Sequence, residues 1–215
     1  VAMNDLGDRV VAGGRFNDGL VNDAGHVRVY KYNTGSWTQI GADINGKTAN
    51  TYFGWSVDMN AAGDMIVATA PNEDNQKGLA RIYRNVGNTW VQVGQDIFGE
   101  SNNDYSGGAD GNSVSINDIG DKVVIGAWQN DGGGSNSGHV RVYGLEKGFW
   151  YKLGFDLDGE DSDDYLGWSV AINAAGDIVA SGAQLNDGGG SNSGHVRVYQ
   201  TIESCPLPLA IELQQ

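Results

Sequence analysis

The sequence predicts an all-β protein, a β-propeller in which four blades of about 56 residues are visible, and three observations support this. A motif of the type VAINAAGDIVASGA recurs at offsets of 56, 57 and 56 residues. The segment NDGGGSNSGHVRVY occurs twice, letter for letter. Short Val, Ile and Tyr runs alternate with turn residues, and 34 of the 215 residues are Gly. The four copies of the first motif begin at Val1, Val57, Val114 and Val170, and the exact copies of the second lie at Asn130–Tyr143 and Asn186–Tyr199.

Each repeat divides into four strand signals, which we call strands A to D. In the last copy, strand A ends at Asn173, a Gly-Asp turn follows, and strand B covers Ile178–Ala183. The polar loop between strands B and C, the B–C loop, precedes the strand C motif GHVRVY. Strand D carries one Trp, and the segment that leads into the next repeat is the D–A connection. We expect the equivalent residues Trp37, Trp90 and Trp150 to fill the gaps between adjacent sheets.

The last repeat departs from the pattern after Tyr199, where QTIESCPLPLAIELQQ contains neither a Trp nor a Gly-Asp step. Two prolines within three residues disfavour a central strand. We therefore assign residues 1–199 to propeller repeats and 200–215 to a C-terminal tail or linker. The alternative is that Ala210–Leu213 supplies a replacement outer strand.

The number of blades in the intact wheel has two readings. Four blades can close as a small wheel, since propellers contain about four to eight. We favour a larger wheel, for example a seven-bladed one, because Val1 enters in mid-blade and the last repeat lacks its normal outer strand. An incomplete wheel exposes a sheet edge, which requires a partner or further chain. The absence of a signal peptide likewise suggests a processed or truncated product.

Composition excludes several classes of protein. The formal net charge of −14 argues against nucleic-acid binding and against charge-driven binding to an anionic membrane. The single cysteine, Cys205, cannot form an intramolecular disulfide, so stability must come from packing. No apolar run approaches the roughly 20 residues of a membrane-spanning helix.

The repeats resemble the FG-GAP repeats of integrin-α-type β-propellers. Phe53-Gly54 precedes Trp55-Ser56, and Ala70-Pro71 closes strand B. Leu166-Gly167 and Gly182-Ala183 occupy these places in the fourth copy, and Gly126-Ala127 occupies the second place in the third. The resemblance covers Val1–Tyr199 and implies a propeller, with little information about the ligand.

The sequence is also similar to secreted bacterial repeat proteins. The segment CPLPLAIEL at Cys205–Leu213 resembles the connector that precedes a C-terminal sorting domain in type IX secretion cargo. This implies a bacterial protein that is secreted or displayed on the cell surface, a missing sorting domain, and contact with outer-membrane secretion or attachment machinery.

The calcium site of integrin-type repeats does not transfer to this chain. That site lies in an Asp-rich loop between strands A and B, whereas the loops here read only NAAGD, NDIGD or NDLGD. One Asp and one Asn cannot supply the six to eight oxygen ligands that calcium requires.

One D–A connection is instead dense in carboxylates and is the candidate metal site. It places four acidic residues within five positions, which favours calcium or a cationic group. The competing interpretation, which we favour on ligand number, is a solvated acidic loop. No cofactor is otherwise required. The four residues are Glu160, Asp161, Asp163 and Asp164.

The B–C loops and D–A connections should share one face of the propeller, and that face is the expected binding surface for a glycan or protein. The Asn-Asp-Gly start of the B–C loop offers polar groups, although the same residues are what a loop needs to turn. Trp128 has no counterpart in the other repeats, and it is either a sugar platform or buried under the adjacent loop. The candidate ligand-binding residues are Trp128, Asn130, Asp131, Asn186 and Asp187.

Three histidines, His26, His139 and His195, occupy one repeat position on different blades. We expect them to form structural hydrogen bonds rather than a shared metal site.

No catalytic motif is apparent, and the expectation is that the protein is not an enzyme. The sequence lacks a nucleophile elbow, an HExxH motif and a phosphate loop. A carboxylate pair for glycoside chemistry has no local motif and therefore stays open. Three functions compete in this order: a secreted or surface-displayed adhesion module, a structural or accessory subunit of a cell-envelope assembly, and a polysaccharide-acting enzyme.

Overall fold

A computed structural model describes residues 1–110, 112–201 and 211–214 of the chain, with side chains described up to residue 200. It contains four antiparallel sheets and one four-residue helical turn, which confirms the all-β, four-bladed propeller arrangement. Blades 1 and 2 split strand D into two short pieces that both pair with strand C. Their strands are β1 Ala2–Met3, β2 Arg9–Gly14, β3 His26–Asn33, β4 Ser36–Gln39 and β5 Ile44–Asn45, then β6 Val57–Met59, β7 Met65–Ala70, β8 Leu79–Val86, β9 Thr89–Gln92 and β10 Ile97–Phe98.

Blades 3 and 4 are four-stranded sheets with the order A-B-C-D. Their strands are β11 Val114–Ile116, β12 Lys122–Ala127, β13 His139–Glu146 and β14 Phe149–Asp158, then β15 Leu166–Ile172, β16 Ile178–Ala183, β17 His195–Thr201 and β18 Ile211–Gln214.

The outer place of blade 4 is taken by β18, which pairs antiparallel with β17. Ile211–Gln214 thus occupies the position that the alternative sequence interpretation gave to Ala210–Leu213. Cys205 and most of the predicted connector lie outside the described residues.

The helical turn α1, Glu73–Gln76, lies in the B–C connection of blade 2. Asp74 and Asn75 have φ of +51° and +57°, so the segment turns through left-handed backbone. It is therefore a tight polar turn in place of the longer Gly-rich loops of the other blades. No helix in the part of the chain that the structure describes is long and apolar enough to cross a membrane.

The turn between strands A and B is built identically in every blade by an Asn and an Asp. In blade 3, Asn117 Oδ1 accepts hydrogen bonds from the backbone N–H groups of Asp121 (3.1 Å) and Lys122 (2.9 Å). Asn117 Nδ2 donates to Asp121 Oδ1 at 2.8 Å. Gly120 between them has φ of +76°, which explains the Gly of the Gly-Asp step. The same three bonds form from Asn4, Asn60 and Asn173.

Three hydrophobic clusters hold consecutive blades together, one at each junction from blade 1 to blade 4. The strand D tryptophans contribute as expected at two junctions. Trp90 Nε1 donates to Ile40 O of blade 1 (2.9 Å), and Trp150 Nε1 donates to Val93 O of blade 2 (2.9 Å). Trp37 of blade 1 has no preceding blade in the structure and is 45% exposed. Among the described residues, no core cluster joins blade 4 to blade 1.

Candidate binding face

The B–C loops and the D–A connections form one continuous surface, which we call the loop face. Each complete D–A connection contacts the B–C loops of the blades on both of its sides. In the connection between blades 3 and 4, Asp163 accepts from Asn136 Nδ2 of blade 3 at 2.9 Å. In the same connection, Asp164 Oδ2 accepts from Asn186 Nδ2 of blade 4 at 2.7 Å. The expectation that these segments share a face is therefore met.

The candidate ligand-binding residues Asn130 and Asn186 are buried within this surface. They are 3% and 4% exposed, respectively. Asn130 Nδ2 donates to Asp104 Oδ2 at 3.0 Å, and its Oδ1 accepts from the Gly132 N–H at 2.8 Å. Asn186 makes the same pair of bonds to Asp164 and to the Gly188 N–H. Both side chains thus build the loop and are not presented to a ligand.

The candidates Asp131 and Asp187 are exposed at the outer rim of the loop face. Asp131 Oδ1 accepts from the Asn136 N–H at 2.8 Å, and Asp187 Oδ1 accepts from the Asn192 N–H at 2.6 Å. Each carboxylate therefore closes its own loop while remaining accessible to solvent.

Three of the four residues of the acidic connection bind separate partners through their carboxylates. Glu160 lies against Arg197 in an ion pair, with His195 Nδ1 3.8 Å away. Asp164 is 3% exposed and accepts from the Asp161 N–H as well as from Asn186. Asp163 is exposed and bound to Asn136. Since the carboxylates serve separate partners and do not converge, this arrangement does not fit a calcium ion.

A different group of potential ligands does converge, at the junction of blades 2 and 3. Ligand atoms of Glu100, His139 and Asp156 lie within 4.8 Å of one another. Arg141 already occupies the space between the two acids, since its Nη2 lies 2.7 Å from Glu100 Oε2 and 2.7 Å from Asp156 Oδ2. The guanidinium supplies the positive charge that a metal would bring, so the cluster is an ion-pair network.

The Arg–Asp pair of this network recurs in the first three blades at a separation of 15 residues. In each case Nε and Nη2 of the Arg donate to the two carboxylate oxygens at 2.7–2.9 Å. Hydrogen bonding to the Arg lowers the pKa of each Asp, to about 2 for Asp43. The pairs are Arg28–Asp43, Arg81–Asp96 and Arg141–Asp156.

The histidines at the start of strand C are buried in two blades without a hydrogen bond at Nδ1. His139 is 2% exposed and His26 is 9% exposed. Nδ1 of both rings has no hydrogen-bonding partner, so the expected structural hydrogen bonds are not made at that atom. Burial lowers the pKa of His139 to about 4, with a further contribution from the nearby charge of Arg141. Both rings act as neutral packing groups at neutral pH.

Trp128 is the centre of an aromatic cluster on the loop face. Its ring lies 5.1 Å from Tyr165 and 5.1 Å from Trp168, both edge-to-face, and 6.1 Å from Tyr105. All four rings are half-buried, and Trp128 Nε1 is covered and has no acceptor. The structure therefore combines the two sequence interpretations of Trp128: its indole nitrogen is buried, while part of the cluster remains on the surface.

A second aromatic group lies on the loop face between blades 1 and 2. The Arg15 guanidinium is 3.9 Å from the Trp55 ring centroid and 4.9 Å from that of Phe16. The longer D–A connection before blade 3 reaches this group: Asp110 Oδ1 is 3.1 Å from Arg15 Nη1, and Ala109 O accepts from Trp55 Nε1. The extra residues of that connection thus reach the aromatic group on the neighbouring junction.

Sequence reasoning did not identify these aromatic neighbours as a surface. It treated only Trp128 as a candidate surface aromatic and did not use the Tyr of the connections. The signal was present, because Tyr52, Tyr105 and Tyr165 hold one repeat position and all have positive φ, from +49° to +60°. A non-Gly residue with such a backbone is an unusual feature and indicates a constrained position.

Comparison with known proteins supports the fold and nothing finer. No protein-family model matches the sequence, and no curated protein matches it. Solved structures do match at low identity. They include TolB from Acinetobacter baumannii (13% identity, TM-score 0.50) and the β-propeller domain of the Trilobed protease from Pyrococcus furiosus (9%, 0.51). Hydrazine synthase of Kuenenia stuttgartiensis also matches (13%, 0.53).

The alignments cover nearly all of this chain but only about half of each neighbour. They take in 99%, 100% and 91% of this chain and 42%, 55% and 56% of the other chains, in the order given. The neighbours differ in function, so the likeness establishes a β-propeller and leaves the activity to the site.

Proposed function

We propose that the protein is a secreted or surface-displayed binding module that engages glycans through its loop face. The observation that carries the proposal is the half-buried aromatic cluster around Trp128, set among exposed loop carboxylates and amides. Aromatic rings offer apolar faces for stacking, and nearby polar groups give orientation. Loops on a rigid scaffold are the usual place for such recognition.

The acidic balance supports an exported protein, and the FG-GAP-like repeats and type IX-like connector motivate the same location. We extend the proposal to a bacterial cell surface, with outer-membrane secretion or attachment machinery as the partner of the C-terminal segment. The net charge of −14 disfavours nucleic acid as a ligand. We propose no cofactor, because the acidic connection does not converge on one point.

The second candidate is a structural or accessory subunit of a cell-envelope assembly. It is favoured by the apolar flank of blade 4, where Val196 is 68% exposed and Val198 is 43% exposed. A polysaccharide-acting enzyme ranks third. The cleft of about 250 Å³ beside Trp55 and Asn112 is lined by a single carboxylate, Asp110, whereas retaining and inverting mechanisms use two.

The test is a binding screen of the purified chain against a glycan array and intact bacterial surfaces. We expect saturable glycan binding that survives chelation with EDTA. Trp128→Ala combined with Asp187→Ala should weaken binding by at least about tenfold, equivalent to 1.4 kcal/mol. A matched control combines Trp37→Ala with Asp5→Ala, which removes an exposed Trp and Asp away from the loop face.

Three outcomes would contradict the proposal. Unchanged binding by the Trp128 variant, with the fold retained by circular dichroism, would reject this surface. Loss of binding in EDTA would show that binding depends on a metal ion and would support a metal site at the acidic connection. Binding to cells that persists after the glycans are removed, with no signal on the array, would favour a protein ligand.

A further inference from the structure

The three blade junctions share one entry contact, made by the residues that lead into strand A. An isolated parallel bridge joins each entering residue to the glycine before strand C of the preceding blade. The entering N–H also donates to the residue before that glycine, for example from Phe53 to Ala24 O at 2.9 Å and from Leu166 to Ser137 O at 2.9 Å. The three bridges are Gly25–Phe53, Gly78–Ser106 and Gly138–Leu166.

The next residue is a glycine in left-handed backbone that packs directly on strand B of the preceding blade. A Cβ on Gly13 would lie 1.9 Å from Gly54 O, and a Cβ on Gly126 would lie 2.0 Å from Gly167 O. There is no room for a side chain on either partner. At these two junctions an apolar-Gly pair therefore packs against a glycine of strand B, which forms part of its socket. At the junction of blades 2 and 3 the entering pair is Ser106-Gly107, and it packs on Thr69.

Blade 4 carries a fourth socket with the same sequence as the third. Its B–C loop and strand C, Asn186–Tyr199, repeat Asn130–Tyr143 letter for letter. In blade 3, Val140 and Val142 are 0% and 2% exposed beneath blade 4. Their counterparts Val196 and Val198 are 68% and 43% exposed. Blade 4 thus has the same socket residues as blade 3, but its apolar residues Val196 and Val198 face solvent.

Two adjoining clefts lie on this same flank of blade 4. The larger, about 370 Å³, is lined by Gly182, Gly194 and Val196, among others, and the smaller, about 220 Å³, by Ala180 and Val196. A Cβ built on Gly182 or Gly194 would meet atoms of blade 4 alone. At the other junctions these are the places that the entering residues fill.

We propose that the flank of blade 4 is the docking site for strand A of a further blade of this repeat type, entering with an apolar-Gly pair. The argument is continuity with the interfaces in the same molecule: two are entered by an apolar-Gly pair and one by Ser106-Gly107. A second copy of the chain fits less well, because its described entry pairs are already bound within their own junctions: Phe53-Gly54, Ser106-Gly107 and Leu166-Gly167. The larger cleft borders the aromatic cluster at Trp168. The docking proposal rests on the residues of strands B and C and does not depend on glycan binding.

The experiment uses a fluorescein-labelled synthetic peptide with the sequence of Tyr52–Asn60, YFGWSVDMN, titrated with the 215-residue protein. Fluorescence anisotropy should show saturable binding, because the peptide supplies the Phe-Gly pair that packs on the equivalent flank at the junction of blades 1 and 2. The peptide with Gly54→Val should bind at least about tenfold more weakly, because a Cβ there would lie 2.5 Å from a carbonyl oxygen in the equivalent junction.

On the protein, Val196→Asp should abolish binding, whereas Ile119→Asp should not. Ile119 is 69% exposed in an A–B turn and serves as the matched control. Both variants alter exposed side chains, and thermal melts will verify that they fold. Hydrogen exchange should slow over residues 193–198 when the peptide is added, which locates the contact independently.

Several results would overturn the proposal. Binding that is equal for the Gly54→Val peptide, or unaffected by Val196→Asp, would show that the peptide does not use the socket. No saturation up to about 1 mM peptide would show that the flank does not accept this strand. A homodimer by light scattering that Val196→Asp converts to a monomer would assign the flank to a second copy.

Discussion

At the scale of single residues, the junctions combine a buried neutral ring with a charged pair. His139 is covered by the same ion-pair network that holds Arg141 between Glu100 and Asp156. Burial disfavours the imidazolium even with two carboxylates nearby, because Arg141 and Lys152 already pair with them. Because the acids are already paired, protonation of His139 should destabilise the folded protein. The pH dependence of stability therefore tests this network.

The lowered pKa of His139 predicts a loss of stability in mild acid. The folded state keeps the ring neutral down to a pKa of about 4, whereas the unfolded chain takes up the proton near 6.5. Stability is therefore lost as the pH falls from 6.5 to 4, by at most about 3 kcal/mol. His139→Leu, which copies Leu79 of blade 2, should remove this part of the slope in urea unfolding measured from pH 7 to pH 4.

The control for that experiment is His195→Leu, which makes the same substitution at the exposed counterpart in blade 4. If the free energy of unfolding varied with pH in the same way for the wild type and His139→Leu, the prediction would be wrong. The His139 ring would then take up its proton as readily in the folded protein as in the unfolded chain.

The Arg–Asp pairs predict a second loss of stability at lower pH. It arises from protonation of a carboxylate in an ion pair, and not from protonation of a buried neutral ring. The pKa of Asp43 is lowered to about 2 by its bonds to Arg28, whereas an ordinary Asp titrates near 3.8. The contribution of the pair is present above pH 3.8 and is lost as the pH falls towards 2. Asp43→Asn should lower the melting temperature at pH 7, and the difference from the wild type should disappear near pH 2. A constant difference at every pH would assign the effect to packing instead of charge.

At the scale of elements, the A–B turn explains why NxxGD recurs while the residues between Asn and Gly vary. The Asn side chain accepts the two N–H groups that the turn leaves free, and the Asp fixes the Asn amide. The Asp of the Gly-Asp step is thus committed to the turn. This supports the decision not to transfer the integrin-type calcium site.

Asn117→Ala should cost about 2 kcal/mol, since it leaves two backbone donors without their acceptor in a position that is 1% exposed. Asp118→Ala in the same turn should be close to neutral, because Ala61 and Ala174 stand there in blades 2 and 4. Urea unfolding of the two variants measures the contrast. Equal costs would mean that turn propensity, and not the Asn side chain, stabilises the hairpin.

The same comparison shows which features could be predicted from sequence. Repeat period, strand order and the shared loop face follow from local signals such as GHVRVY and the Gly-Asp step. The bonds from Asn130 to Asp104 and from Asn186 to Asp164 span 26 and 22 residues and have no local signal. The aromatic cluster was missed for a related reason, since Trp128 meets Tyr165 and Trp168 only when two blades are side by side.

At the scale of the whole molecule, the blades are stabilised in series by their junctions. Each of the first two junctions places a strand D tryptophan of one blade on strand D of the blade before it. Trp150 is 3% exposed at such a junction. Its counterpart Trp37, on the outer flank of blade 1, is 45% exposed and contacts Tyr32 in a tilted arrangement. Identical residue types at one repeat position therefore differ only in whether a neighbouring blade covers them.

This difference gives a test of the blade arrangement in solution. Trp150→Ala should cost about 3–5 kcal/mol, because it opens a cavity in the core between blades 2 and 3 and removes the bond to Val93 O. Trp37→Ala should cost less than about 1 kcal/mol, as expected of a surface position. Chemical unfolding of both variants at one protein concentration measures the ratio. A large cost for Trp37→Ala would mean that another blade, from the same or another molecule, covers blade 1. A small cost for Trp150→Ala would mean that the junction between blades 2 and 3 is not packed as described, because a tryptophan buried to this extent cannot be removed from a close-packed core without a large loss.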